Sequence, residues 1–280
     1  MSTLPPRDRS VDPVVAPVGD RTGRWARIRW AVPSIVTLAA LVAGWQFYVT
    51  SSGVRPQVLP SPLRVVEQGW AHRGEIATHA AATFQVTVIG FAVSLSAAWV
   101  LAVIVDFSPW LRRALVPLFV ASQTLPIVAI APLMIIWFGF GLLPKILVVA
   151  LVTFFPMAIG LIEGFAAADR DAGALLRSMG ASRVQEFRYV RLPSAMPRFF
   201  TSLRIAITYA VVGAVFAEYV GASAGLGIYM SLQKNSFRTD LVLAAVVVTA
   251  LLSIALYLAT FAVERLVAPW ARTENRSRRD

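Results

Sequence analysis

The stretch Glu163–Arg204, EGFAAADRDAGALLRSMGASRVQEFRYVRLPSAMPRFFTSLR, sets seven arginines between two apolar runs. Asp169 and Asp171 suit the first turn of a helix, where carboxylates meet the positive end of the helix dipole. Ala172 to Met179 is a good helix former, and Gly180 breaks it as a C-cap glycine does. Ser182 suits the N-cap of a second helix over Arg183 to Val190, with Glu186 close to the reciprocal capping position. Leu192-Pro193 ends that unit. Leu175, Leu176 and Met179 form the apolar face of the first helix, and Val184, Phe187 and Val190 that of the second. Such a pair in a greasy chain either rests on a membrane surface or offers a partner a place to dock.

Working outward, the rest of the chain is apolar enough for a bilayer. Of its 280 residues 57% are hydrophobic and only 15% charged, where a soluble domain carries about a quarter. The mean hydropathy is +0.67. A net charge of +11 raises nucleic acid as a partner. The arginines, however, lie at the ends of apolar segments, so no nucleic acid is expected. With no cysteine, disulfides, thiolate metal sites and cysteine nucleophiles are excluded.

Six segments approach the length of about 20 residues that a spanning helix needs: Ala31–Thr50, Phe84–Val105, Ala114–Ile136, Ile146–Ile162, Phe199–Val220 and Leu241–Val263. The expected fold is all-α, a polytopic membrane protein of six transmembrane helices. The third span holds Pro117, Pro126 and Pro132, which predicts a bent helix in the interior. Residues 1–29 read as a disordered basic tail rather than a cleaved signal, residues 30–265 as the membrane domain, and 266–280 as a second tail. With the N-terminus in the cytoplasm, the inside segments hold twenty basic residues and the outside segments six. The positive-inside rule then places both termini in the cytoplasm. Outside, Val58-Leu59-Pro60-Ser61-Pro62 leads into a short surface helix, Leu63 to Ala71, and Asp240 is placed to cap the sixth span.

Few residues are placed for chemistry. Glu218 is the sole acid inside the fifth span, where a charge costs roughly 2.5–3.5 kcal/mol on insertion scales. It faces a partner or the pathway, or else it is a near-interface carboxylate wetted from outside. Replacing it by alanine is expected to impair transport and spare assembly. Gln123 and Thr124, just before Pro126, either line a pathway or satisfy freed carbonyls. Gly139, Gly141, Gly221, Gly225 and Gly227 read as turn residues outside the membrane, with a gate as the alternative, and His72 and His79 as interfacial ones. The phosphate-cradling loop GxxxxGK[ST] is absent, as are HExxH and GxSxG. No catalytic residue, metal site or cofactor is expected.

Gly180, nine residues, then Val190-Arg191-Leu192-Pro193: this resembles EAA-xxx-G-x(9)-I-x-LP, the cytoplasmic signature of permease subunits in binding-protein-dependent ABC importers. The leading positions read Ala174-Leu175-Leu176, so the glutamate is missing. Between about Leu59 and Val263, LPSP, QTLPIVAIAPL, WFGFGLLPKILVVALVTFFP and AEYVGASAGLG look like the nitrate, sulfonate and taurine branch. Some permeases for riboflavin and for pyrimidine precursors of thiamine are similar too. The resemblance implies a type I importer-like permease fold in a bacterial cytoplasmic membrane. It implies two copies around a central pathway, an extracytoplasmic binding protein that delivers solute, and a separate ATPase dimer that hydrolyses ATP. The segment 163–198 would couple to that ATPase through Leu175, Leu176, Met179, Gly180, Ala181, Val190, Leu192 and Pro193. The solute would be a small polar anion, with a heterocyclic vitamin or its precursor as the alternative. A secondary transporter is the rival of another class. It calls for intramembrane coupling acids and often inverted repeats, whereas the chain has one deep acid and no convincing repeat.

Overall fold

The computed structural model describes residues 25–269. Most of the expected N-terminal tail, residues 1–24, and the expected C-terminal tail from residue 270 lie outside that range. Among the described residues every regular element is helical.

The chain divides after Ser52. The first unit holds α1 (Trp25–Ser52), which starts six residues before the expected span. Its last turn is rich in hydroxyls. Thr50 Oγ1 donates to the carbonyl of Gln46 (3.0 Å), Ser51 Oγ to that of Phe47 (2.8 Å) and Ser52 Oγ to that of Tyr48 (2.6 Å). These bonds return hydroxyls to the carbonyl-rich end of the helix.

The second unit begins with α2 (Pro62–Ala71), which the Ser61 side chain caps by accepting from the Arg64 N–H, and α3 (Arg73–Phe107). Next come α4 (Pro109–Ser122), α5 (Ile127–Phe138) and α6 (Leu142–Ala166). Then α7 (Arg170–Ser178) and α8 (Arg183–Glu186) lead into a π-turn (Phe187–Arg191) and α9 (Leu192–Gly221). Last are α10 (Leu226–Asn235) and α11 (Thr239–Val267). Among the described residues five helical runs are long and apolar enough to cross a bilayer: those of α1, α3, α6, α9 and α11.

Three expectations change. The third span is not one bent helix but two, of 14 and 12 residues, parted at Gln123–Pro126. Pro126 has no N–H to continue α4 and its ring disfavours helical dihedrals at the preceding Leu125. The fourth span runs 25 residues, past Pro156 and well beyond the Ile146–Ile162 expected. Asp240 is not the N-cap of α11, a place held by Arg238. Its carboxylate instead pairs with Arg64 (3.2 Å) and Arg238 (3.1 Å) and accepts from the Leu241 N–H.

Helix α6 packs along both α3 and α9, the most extensive contacts in the molecule. Small residues let the backbones approach. A Cβ on Gly160 would stand 2.2 Å from Ser202 Oγ, one on Gly164 2.9 Å from Ala195 Cα, and one on Gly90 2.6 Å from Val149 Cβ. Gly160 and Gly164 form a GxxxG pair, the spacing that brings spanning helices close without lipid squeezing between them. Around this seam Met157, Leu161, Phe165, Phe200 and Ala102 are fully buried, and Trp99 meets Phe199 edge-on at 5.2 Å.

Candidate functional site: a docking segment, a clasp and a cavity

At one end of α3 lies the arginine-rich segment. Asp169 precedes α7 and caps it, its carboxylate accepting from the N–H groups of Asp171 (2.8 Å) and Ala172 (3.3 Å). Gly180 closes the helix at φ +84°, with its own N–H on the Arg177 carbonyl and that of Ala181 on Leu176. A Cβ at 180 would meet nothing, so the left-handed backbone alone requires glycine here. Ser182 and Gln185 form a full capping box: Ser182 Oγ accepts from the Gln185 N–H (3.3 Å), and Gln185 Oε1 from the Ser182 N–H (2.7 Å). The reciprocal cap is therefore Gln185, not Glu186, which turns inward. Nor does Leu192-Pro193 end the unit. Helix α8 runs through the π-turn into α9, and Pro193 sits in the first turn of α9, where its missing N–H is tolerated.

Of the eight candidate docking residues, Leu175 and Met179 stand out from α7 at 64% and 75% exposure, and Gly180 is exposed beside them. Leu176, Ala181, Val190, Leu192 and Pro193 are half-buried, and Val184 extends the exposed apolar surface across α8.

Beneath this surface four charged groups join. Glu186 is buried and accepts from Arg177 Nη1 (2.8 Å) and from Arg191 Nε (3.2 Å) and Nη2 (3.1 Å). Arg191 Nη1 also donates to both carboxylate oxygens of Asp106 (3.0 and 3.1 Å), at the last turn of α3. Sequence reasoning missed this set. Its one visible signal is Asp106, an acid one residue beyond an apolar span.

At the opposite end of α3, Glu218 is wholly buried. Its Oε2 accepts from the Thr83 hydroxyl (2.9 Å) and from the Gly227 N–H (3.0 Å), while Thr83 Oγ1 accepts from the Leu226 N–H (2.8 Å). His79 Nδ1 accepts from the Gly225 N–H (3.1 Å), with its ring 5.0 Å from that of Tyr229. Glu218 of α9, with His79 and Thr83 of α3, thus satisfies the open N-terminus of α10. Gly227 is not a turn residue but lies in the first turn of α10. A Cβ there would come within 2.2 Å of the Val215 carbonyl oxygen, and one on Gly225 within 2.2 Å of Glu218 Cδ. Burial, with the Glu75 carboxylate near, pushes the Tyr229 hydroxyl up to about 12, so it stays neutral at ordinary pH.

A cavity of about 1040 Å³ opens among α6, α9, α11 and the α4–α5 break. Gln123 and Tyr209 line it, with Arg204 and Glu264 ion-paired and the Arg204 guanidinium 4.1 Å over the Phe261 ring. Arg198 and Glu163 complete the charged lining, Arg198 Nη1 donating to the Glu163 carbonyl (2.9 Å). The four side chains sum to no net charge. Thr124 and Glu218 stand outside this lining. The Thr124 hydroxyl donates to the Ala121 carbonyl (2.7 Å), which also accepts from the Thr124 N–H (3.1 Å) at the end of α4.

A family model described as the binding-protein-dependent transport system inner membrane component matches residues 90–273. The chain belongs to this family. The permease is 36% identical to the riboflavin transport system permease protein RibX of Chloroflexus aurantiacus, over 91% of this chain and 97% of that protein. To the taurine transport system permease protein TauC of Escherichia coli it is 32% identical, over 88% and 92%. Among solved structures, an inward-facing conformation of the MetNI methionine ABC transporter superposes with a TM-score of 0.55, covering 71% of this chain and 96% of that one at 20% identity. That likeness establishes the type I importer permease fold. The permease is therefore a multi-pass membrane subunit of an ABC importer.

Proposed function

We propose that two copies of this permease surround a solute pathway, and that a separate ATPase dimer drives it through the segment 163–198. The observation that carries this is the pairing of a capped, exposed apolar surface, Leu175, Met179 and Val184, with a helix that runs unbroken into α9. A push on α7 and α8 is handed directly to a span. The case for a second copy is the α4–α5 break. Gln123–Pro126 is exposed, beside outward-facing Leu118, Ile136 and Trp137. Lipid offers no partner for broken backbone, so protein or a watery pathway covers it. Both termini face the cytoplasm by the distribution of basic residues, and an extracytoplasmic binding protein delivers solute at the α2 and α10 end. The membrane domain is 30–265, flanked by the two tails.

For the solute, the charge-balanced cavity favours a neutral or zwitterionic molecule over a bare anion such as nitrate. Taurine is a zwitterion, and riboflavin and thiamine pyrimidine precursors are uncharged heterocycles that could stack on Tyr209 and Phe261. Gln123 lines this pathway. A Gln123→Cys permease, in a chain with no native cysteine, is expected to react with a water-borne thiol reagent, and saturating solute on the complex to slow the reaction at least fivefold. Uptake of labelled taurine, nitrate and riboflavin into vesicles holding the whole importer decides the solute class. Nitrate uptake that neither taurine nor riboflavin competes would overturn the cavity argument, as would an unreactive Gln123→Cys.

A further inference from the structure

The four-residue charge set Arg177–Glu186–Arg191–Asp106 runs from α7 to the far end of α3, and the function above does not use it. Helix α7 is only nine residues long, and its backbone packs chiefly against α8. Its apolar residues Leu175 and Met179 point away from the protein, so little apolar burial fixes it. What holds it is polar. Gly173 and Arg177, one turn apart, both face Glu186: the guanidinium bonds the carboxylate at 2.8 Å, and a Cβ on Gly173 would stand 3.1 Å from Oε1. Glu186 and Asp106 are both buried, with side chains 8% and 5% exposed. Arg191 alone spans the two, with three nitrogens on two carboxylates. It does so from within the π-turn, whose wider winding places a side chain off the α-helical register.

We infer that this strap is a positioning device for energy coupling: Glu186 and Arg191 lock the docking helix α7 to α3, so that both move as one body when the ATPase moves. Helix α9 is already joined to α8 through the backbone. The strap recruits α3, the other long helix packed on α6, and α4, which starts two residues after Phe107. Without it α7 still docks, but its motion reaches only α9. The inference rests on the proposed ATPase coupling. Only a planar fork can bridge both carboxylates, so lysine cannot replace Arg191.

The test uses the whole importer reconstituted in liposomes and compares Glu186→Gln and Arg191→Lys with wild type. Both variants are expected to recover the ATPase as wild type does, because the exposed apolar face is intact, and to hydrolyse ATP within about twofold. Solute moved per ATP should fall at least tenfold. Arg177→Lys, which keeps one contact to Glu186, should retain half or more of the coupling. Independently, spin labels at Ala174→Cys and Trp110→Cys, with doubly labelled copies diluted into unlabelled permease, report the α7–α4 distance within one copy. A single narrow distribution is expected for the unmodified strap and a broad one with Glu186→Gln or Arg191→Lys. An unchanged solute-to-ATP ratio in both variants, or a distance distribution that stays narrow, overturns the inference, and Arg191→Lys serves alone if Glu186→Gln does not fold. If the wild-type permease recovers no ATPase, the coupling reading fails, while the label distance still decides whether the strap holds α7.

Discussion

Glu218→Ala lowers the stability of the permease by about 2–4 kcal/mol, because it strips the acceptor from the buried Gly227 N–H, removes the tie to Thr83 and leaves a cavity. The Thr83 hydroxyl and the Gly227 N–H both end on Glu218 Oε2; Thr83 retains the His79 carbonyl (3.2 Å) as acceptor, whereas the buried Gly227 N–H is left without a partner at a cost of about 1–3 kcal/mol. The cavity left by the side chain adds to this. The sequence alone suggested that transport would fail while assembly survived. The clasp joins the two, since the same carboxylate holds α3, α9 and α10 together. Glu218→Gln keeps an amide oxygen for the two donors and is expected to cost only about 1 kcal/mol. Monodisperse yield and thermal unfolding in mild detergent separate the two variants. An Ala variant as stable as wild type would show that the clasp is not what secures α10.

The second large effect is at the docking surface. The double variant Leu175→Asp, Met179→Asp changes two side chains that are 64% and 75% exposed. The permease's own fold should shift by no more than about 0.5 kcal/mol. The ATPase should be lost. Two apolar anchors worth about 2 kcal/mol each amount to roughly a thousandfold in affinity, enough to remove it in a pull-down and to abolish ATP-driven uptake. An ATPase recovered at full yield with the double variant would mean that α7 is not the docking helix.

How much of this was legible in the sequence follows from the range of each interaction. Caps and turns are local. The Ser182 N-cap and the Gly180 stop are written within a few residues and emerge as expected, whereas the second helix, expected to end at Leu192-Pro193, runs on through the π-turn into α9. Gln185 was missed as the capping partner because Glu186, the stronger acceptor by type, stands next to it and is drawn inward by Arg177 and Arg191. Hydropathy found the spans, yet it counts Ala114–Ile136 as continuous because proline is scored for polarity and not for the N–H it lacks. The long-range contacts were not legible. Thr83 and Glu218 are 135 residues apart and Asp106 and Arg191 are 85, and no local pattern marks either pair. His79 read as interfacial because its partner is a backbone N–H at Gly225. Gly227 read as a turn because a glycine chosen for a close approach looks the same in sequence as one chosen for its dihedral angles.

The central claim is that this permease moves solute only when a separate ATPase acts on the Gly180 segment. The direct measurement is solute uptake into liposomes holding the purified permease, its co-purified ATPase and binding protein, with the phosphate-loop lysine of the ATPase either intact or replaced. The account predicts uptake that needs ATP, stops when that lysine is replaced, and is lost with Leu175→Asp, Met179→Asp. Uptake by the permease alone, driven by an ion gradient without ATP, would contradict it.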